Sequence, residues 1–365
     1  MGFVAYGALL NGIGNIDSGY RFSSLGVSLL NERFSSVKAE WLPRVHGIHY
    51  GINAQWKQSM NSSLETLYEA YEKSLETGDL EYTYIILFLY CRNRFQCGCS
   101  LSSQEPLLKT AVDTMHELNQ KQFAELTSLT YEATLILAGK EDDPAVTNGF
   151  LLHMEDPSNT KLQDLMSIAG LSLDMYMPLA ALNRMIASYH TGDMDTALQM
   201  EERSRNFAKS NNASVITILH AFYSSLTCLT VVRQNPGFPK ATRRYLLNAA
   251  RDHLDYIKKR CKFSPQNMEP LQFLLEGEFD ALNGKINPAL AKYAKSQELA
   301  ARVGCLDVQA LACERASLTI HEGRGNESQK IFLLERCIEL YAEWGAMTKL
   351  RLMEALMEEW KSLNR

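Results

Sequence analysis

The chain has 365 residues, 46% hydrophobic and 22% charged, with a formal net charge of −5 and a sequence pI near 6.0. This composition excludes intrinsic disorder and supplies ample apolar surface for a core. With no basic block beyond Lys258-Lys259-Arg260, it argues against nucleic acid or an anionic membrane as partner.

Met1 to Leu10 is apolar but has no basic flank and is broken by Gly2 and Gly7, so it resembles neither a signal peptide nor a membrane span. The eight cysteines (Cys91, Cys97, Cys99, Cys228, Cys261, Cys305, Cys313 and Cys337) are scattered through apolar helical patterns, as reduced intracellular thiols are. A cytoplasmic protein is expected. Alternating β-branched runs are scarce, whereas apolar residues recur at i, i+3, i+4 and i+7, as in Leu64, Leu67, Tyr68, Tyr71 and Leu75, which is the helical period. Helices are expected at roughly 2–12, 17–32, 39–57, 60–77, 80–97, 104–119, 121–139, 145–154, 160–172, 174–191, 193–210, 212–233, 238–261, 266–283, 286–303, 305–323, 326–344 and 346–362.

Most joints carry a residue suited to ending one helix and capping the next: Gly78-Asp79, Gly139-Lys140, Asn211-Asn212, Gly284-Lys285 and Gly323-Arg324. Three of the turns share an internal order. Gly78, Gly192 and Gly284 are each followed five residues later by a small residue: Thr83, Ala197 and Ala289. The glycine can adopt the left-handed conformation that stops a helix, Asp193 is placed to cap the next one, and the small residue lets the paired helices approach. The last two glycine turns, Gly284 and Gly323, lie 39 residues apart, within the ~34 to 47 residues of helical-hairpin repeats. The expected fold is therefore all-α, a TPR-like α-α superhelix (a solenoid of antiparallel helical hairpins). No segment reads as a linker, so residues 1–365 are taken as one continuous TPR-like array. Such arrays curve into long concave binding surfaces. Helical pattern begins within the first few residues without a polar cap, which implies that something packs against the N-terminal hairpin.

Several stretches resemble a known family. The block Asp17 to Leu30, with Gly19-Tyr20-Arg21-Phe22 and Leu25-Gly26-Val27-Ser28-Leu29-Leu30, is similar to the helical-repeat region of large multidomain signalling proteins. The similarity continues through Glu69-Ala70-Tyr71 and Leu75-Glu76-Thr77-Gly78-Asp79-Leu80-Glu81-Tyr82, with Thr83 where alanine is usual, and through Ala289 to Gly304. It ends with Tyr341-Ala342-Glu343-Trp344-Gly345-Ala346, Lys349 and Leu352. In that family the region follows a STAND-type predicted ATPase, often behind a serine/threonine-kinase-like domain, and precedes a GAF and histidine-kinase module. The resemblance implies a regulatory, interaction-mediating segment, here a fragment or stand-alone copy of a larger protein's repeat region. The implied partners are a peptide or domain, such as a kinase, histidine kinase or STAND ATPase. It brings no catalytic residues to carry over. Read without the family, Gly345 ends one helix, Ala346 opens the last, and Trp344 plugs the junction.

No constellation suited to chemistry emerges, and the chain is expected not to be an enzyme: no catalytic, cofactor-binding or metal residues are assigned, no cofactor is expected, and the partner-binding residues remain unassigned. Gly277 and Gly284-Lys285 are spaced wrongly for a phosphate loop, and Ile286 stands where Ser or Thr is needed. Gly12-Ile13-Gly14-Asn15-Ile16-Asp17 lacks the third glycine of a dinucleotide loop. His116-Glu117-Leu118-Asn119 is an incomplete phospho-acceptor box and reads as helix surface. His46 and His49 share a helix face, with Glu40 nearby, but want a third ligand; Cys97-Gly98-Cys99, with Cys91 upstream, lacks paired CxxC spacing and reads as free thiols. Ser62-Ser63, Ser102-Ser103 and Ser224-Ser225 read as caps or faces, and Glu201-Glu202 and Glu358-Glu359 as solvated faces. Asn61-Ser62-Ser63, Asn212-Ala213-Ser214 and Asn326-Glu327-Ser328 match glycosylation acceptors in form only. The functional expectation is a protein–protein interaction module of a signalling ATPase or kinase system. The alternative is a small-molecule sensor using the superhelix groove, lined by Tyr82, Tyr84, Phe88, Tyr90, Arg92 and Arg94.

Overall fold

The computed structural model describes residues 1–154, 160–205, 216–322 and 327–363. Among them are eighteen α-helices and no strand. In chain order they are α1 (Gly2–Gly12), α2 (Ile16–Glu32), α3 (Lys38–Ile48), α4 (Leu64–Thr77), α5 (Leu80–Gln96), α6 (Leu101–Glu117), α7 (Lys121–Leu137), α8 (Pro144–Thr147) and α9 (Lys161–Met166). There follow α10 (Leu173–Thr191), α11 (Met194–Ser204), α12 (Ile216–Gln234), α13 (Lys240–Cys261), α14 (Pro265–Leu282), α15 (Ile286–Val303), α16 (Leu306–Glu322), α17 (Glu327–Trp344) and α18 (Met347–Leu363). Neighbours in sequence pack as antiparallel hairpins, so the chain is an all-α helical-repeat superhelix. The turns Asn211-Asn212 and Gly323-Arg324, the expected helix boundary between 210 and 212, and the acceptor residues Ala213, Ser214 and Asn326 lie outside the described residues.

Gly78, Gly192 and Gly284 take φ of 70°, 87° and 73°, the left-handed conformation their turns require. Asp193 accepts from the Thr196 amide at 3.1 Å, capping α11, while Asp79 instead binds Arg44 at 2.7 Å. Thr83, Ala197 and Ala289 are all buried, and the Thr83 hydroxyl donates to Ser74 Oγ of the preceding helix at 2.9 Å. Three expected helices are shorter than the periodicity implied. The segment 39–57 stops at Ile48 and continues as a π turn, His49–Asn53, and a single 3-10 turn, Ala54–Trp56. The wider turn frees the Gly51 carbonyl, which accepts from Gln55 Nε2, Asn93 Nδ2 and Arg92; tertiary hydrogen bonds from α5 outweigh the helical ones. The segment 145–154 is helical only as α8, because Gly149, Phe150 and Leu151 turn back onto the buried Glu132 carboxylate, whose Oε2 accepts from the Leu151 amide at 2.8 Å. The segment 160–172 shrinks to α9 before the left-handed Gly170.

Helices α5, α7, α10, α12 and α16 are buried on nearly all sides, whereas α4, α6, α11, α13 and α15 keep a polar face in solvent. The first set is the inner layer. α12 is long and apolar enough to cross a membrane, yet 94% of its apolar window is buried inside the protein. The superhelix winds tightly enough for distant turns to meet. Asn267 donates to the Gln55 and Gln58 carbonyls at 2.9 and 2.8 Å and accepts from the Met60 amide at 3.0 Å. Asn61 Nδ2 reaches the Val303 carbonyl, the Leu306 amide the Gly98 carbonyl, and Thr348 the Ile136 carbonyl. Along this seam the expected long concave surface is taken up by the chain itself.

Candidate functional site

An open hollow lies at the N-terminal end, between α1, α2 and the start of α3. It encloses about 740 Å³ and is lined by Met1, Phe3, Tyr6, Phe22, Leu29, Leu30, Phe34, Val37, Trp41 and Val45 together with Gly2 and Gly26, none with a charged side chain. Phe3 and Phe22 stack at 6.4 Å, and Tyr6 meets Phe22 edge-on at 5.0 Å. Leu30 and Val45 of the lining form, with Val4 beneath α1, a small apolar cluster that meets the main core at Leu42. Apart from the buried Asn11 and the Tyr6 hydroxyl, α1 is apolar around its circumference, the composition of a helix covered on every side. Yet its outer stripe, Phe3, Tyr6, Leu9 and Ile13, is 43%, 48%, 69% and 79% exposed.

This face is held rigidly from behind. α1 crosses α2 closely at Gly7, Gly19 and Gly26. An added Cβ would sit 2.6 Å from the Gly19 carbonyl oxygen at Gly7 and 2.9 Å from Val4 Cγ1 at Gly26, and at Gly19 it would collide with Asn11 Oδ1. Asn53, from the π turn, binds Asn11 Nδ2 at 2.8 Å, the Val4 carbonyl at 3.1 Å and Ser23 Oγ at 2.9 Å; Ser23 Oγ also lies 2.8 Å from His49 Nδ1. Burial holds both His46 and His49 down to about 4, so both are neutral; His49 belongs to this polar cluster, whereas His46 packs edge-on against the Tyr50 ring. Glu40 is exposed at the start of α3, and no group of three metal-binding side chains exists among the described residues.

The other residues singled out in the sequence occupy structural places. Tyr84, Phe88 and Arg92 are buried in the core and Tyr82, Tyr90 and Arg94 are half-buried against it, so this set lines no groove. Arg92 stacks over Phe88 and binds the Gly51 carbonyl. The eight cysteines are free, and burial raises the thiols of Cys91, to about 12, and of Cys97, Cys99 and Cys305, which keeps them protonated. Trp344 is buried against His190, with ring centroids 5.1 Å apart, and plugs the α17–α18 junction beside Gly345 at φ 87°. Gly277 lies mid-helix against the Tyr293 ring, and Gly12 ends α1. His116, Glu358 and Glu359 are exposed, but Glu201 is fully buried. It is no solvated face: Arg205 pairs with it and His253 Nε2 lies 3.2 Å away.

Buried charge concentrates where α12, α14 and α16 meet. Glu278, fully buried, receives Arg315 through two bonds of 2.8 and 2.7 Å, Arg233 at 3.3 Å and the Tyr293 hydroxyl. Burial alone would raise this carboxyl, but Arg315 and Arg233 outweigh it and hold it below the usual carboxylate range. Glu314 likewise receives Lys349 at 2.8 Å and the Tyr341 hydroxyl. Every carboxylate oxygen here is committed to a neighbour. Ser204 and His220, 2.5 Å apart, superficially suggest a nucleophile and its base. The Ser204 hydroxyl, however, donates to the Met200 carbonyl, so His220 Nε2 must be the donor between them, and burial holds that histidine down at about 3.

A second, polar hollow of about 490 Å³ opens between α6, α7 and α8, lined by Asp113, His116, Glu125, Tyr131, Glu132, Asp143 and Lys161 among others. Burial lifts Glu132 to about 7 against the opposing pull of the Leu151 and Phe150 amides. Neither hollow has a signal in the sequence beyond the apolar composition of α1. The chain matches no family model and no curated protein.

Proposed function

We propose that the protein is a non-catalytic interaction module of a signalling ATPase or kinase system, working in the cytoplasm, and that it engages protein surfaces through the apolar end face of α1, α2 and α3. The observation that carries this reading is α1 itself, a predominantly apolar helix whose Phe3, Tyr6 and Leu9, with Ile13 just after it, are left in solvent. An exposed, contiguous apolar surface of this kind marks an interaction site in a stably folded protein. The resemblance to the repeat region of multidomain signalling proteins supplies the class of system. The inward-facing titratable groups of the core are engaged with one another, which favours a structural use for them. The test is capture from native lysate with the tagged chain and with a Tyr6→Glu/Leu9→Glu variant. Recovery of a kinase, histidine kinase or STAND ATPase by the parent and not by the variant is the expected result. Equal recovery by both would move the binding surface elsewhere, and capture of nothing by a folded sample would sink the reading.

One observation favours a second reading, a small-molecule sensor. The polar hollow beside α7 holds a buried carboxyl, Glu132, poised near neutrality. A ligand there would shift the protonation of Glu132, detectable as proton uptake or release on binding.

A further inference from the structure

The end face is self-complementary in shape. At the N-terminal end of α1 lies the hollow between Phe3, Phe22, Phe34 and Trp41. At the C-terminal end of the same stripe stand Leu9 and Ile13, the ridge, 69% and 79% exposed. Ten residues separate Phe3 from Ile13, about 15 Å of helix. A two-fold axis passing near Ala8 and normal to α1 would lay two copies of α1 antiparallel and bring Ile13 of each copy beside Phe3 of the other. Each ridge would then enter the opposite hollow, which is the isologous pattern of closed dimers.

The area is of the right size. Phe3, Tyr6, Leu9, Ile13, Phe22, Leu25, Phe34 and Val37 are between 37% and 79% exposed. At roughly 150–250 Å² for a large apolar side chain, their exposed parts come to about 700 Å². That is more than the ~300–600 Å² of the largest apolar patch on an ordinary monomer and close to the ~800 Å² that each partner contributes to a stable interface. Apart from the α-ammonium of Met1, the hollow's lining carries no charged group, so an apolar ridge is the matching occupant. We infer that this face is an interface with a second copy of the same chain, a two-fold dimer built on antiparallel α1 helices. The inference rests on reading the end face as a docking surface and names its occupant.

The experiment is sedimentation equilibrium of the full chain from about 1 to 100 μM, beside Leu9→Glu and Ile13→Glu. These two residues are the most exposed on the stripe, so the substitutions leave the monomer fold intact, which circular dichroism verifies. A dimer is expected for the parent, with a dissociation constant raised about 100-fold or more in each variant, where two symmetric carboxylates must be buried. To fix the orientation, Phe3→Cys mixed with Ile13→Cys should yield a cross-linked pair on mild oxidation, while Ile13→Cys alone should not. A parent that stays monomeric at 100 μM overturns the inference, as does a dimer indifferent to Ile13→Glu or one in which Ile13→Cys links to itself. A monomeric parent that still captures a partner through this face would leave the proposed function standing and exchange the occupant for a helix of another protein.

Discussion

Replacing Glu278 by glutamine changes one atom and removes the carboxylate that receives Arg315 through two bonds of 2.8 and 2.7 Å and Arg233 at 3.3 Å. Glu278 is fully buried and Arg315 is 3% exposed, so the stranded guanidinium cannot recover its hydration by turning outward. Breaking a buried pair by neutralising one partner costs about 3–5 kcal/mol. With an unfolding entropy of about 2.1 cal/mol/K per residue, the whole chain loses about 4–6 °C in melting temperature. The effect has a defined pH dependence. The folded carboxyl titrates below the ordinary carboxylate range, so its stabilisation is present above that range and is lost as pH falls through the depressed folded value. Thermal melts followed by circular dichroism at pH 7 and again near pH 3 should therefore show a large defect in Glu278→Gln at neutral pH and a smaller one in acid. Glu358→Gln is the control, since that side chain is 74% exposed opposite Lys361 and exposed pairs contribute ~0–1 kcal/mol. If Glu278→Gln melts within about 1 °C of the parent at pH 7, the cluster is not holding the inner helices together and the reasoning fails.

Glu132 gives a shift of opposite sign. Burial raises its folded value to about 7, so the stability it contributes is present below the unfolded value and lost as pH rises through 7; over that interval about 3 kcal/mol is involved. Glu132→Gln, which keeps an oxygen for the Leu151 amide, should match the parent at pH 4 and exceed it at pH 8, and denaturant melts at the two pH values compare them. Gly19→Ala drives a Cβ into Asn11 Oδ1; it should cost about 1–3 kcal/mol and open residues 1–34 to limited proteolysis. Asn267→Ala removes bonds to Gln55, Gln58 and Met60, at about 2–3 kcal/mol. Hydrogen exchange should then quicken across residues 55–61, more than 200 positions away in sequence, and unchanged protection there would contradict the closed seam.

Helix ends at the glycine turns were legible because they depend on local chemistry. Gly78, Gly192, Gly284 and Gly345 stop helices by a backbone conformation that needs no tertiary partner. The π turn at His49–Asn53 was not legible, because the groups that favour it, Arg92 and Asn93, come from α5. Nor was the short α8, which yields to Glu132 on α7. Single carboxylates carry the same ambiguity: Glu201 and Glu202 are adjacent and chemically equal, yet one is buried against Arg205 and the other exposed. A helical period of ~3.6 residues places Glu278 and Glu314 on inward faces only once the neighbours of α14 and α16 are known. The sequence showed only that the apolar N-terminal hairpin lacks a polar cap, and the hollow needed Phe34, Val37 and Trp41 from beyond α2.

The seam bears directly on where this protein can bind. In an open helical array each hairpin touches only its neighbours, and the concave wall between the ends is free for a ligand. Here Asn267 ties α14 to residues 55–60, the Gly98 turn meets Leu306, and Thr348 reaches α7. The inner helices consequently cover one another, and polar side chains that would have faced a peptide, such as Glu278, Glu314 and Lys349, are engaged with neighbours in the core. The proposed recognition therefore falls on surfaces that the closure leaves open. The outer helices present charged, solvated faces of the kind on α13, which contribute little affinity by themselves. Among the described helices α1 combines an inner helix's composition with an outer helix's exposure. The side chains that line its hollow, such as Phe3, Phe22, Phe34 and Trp41, stand outside the main core cluster, so a partner can seat on them without disturbing the packing that closes the rest of the chain.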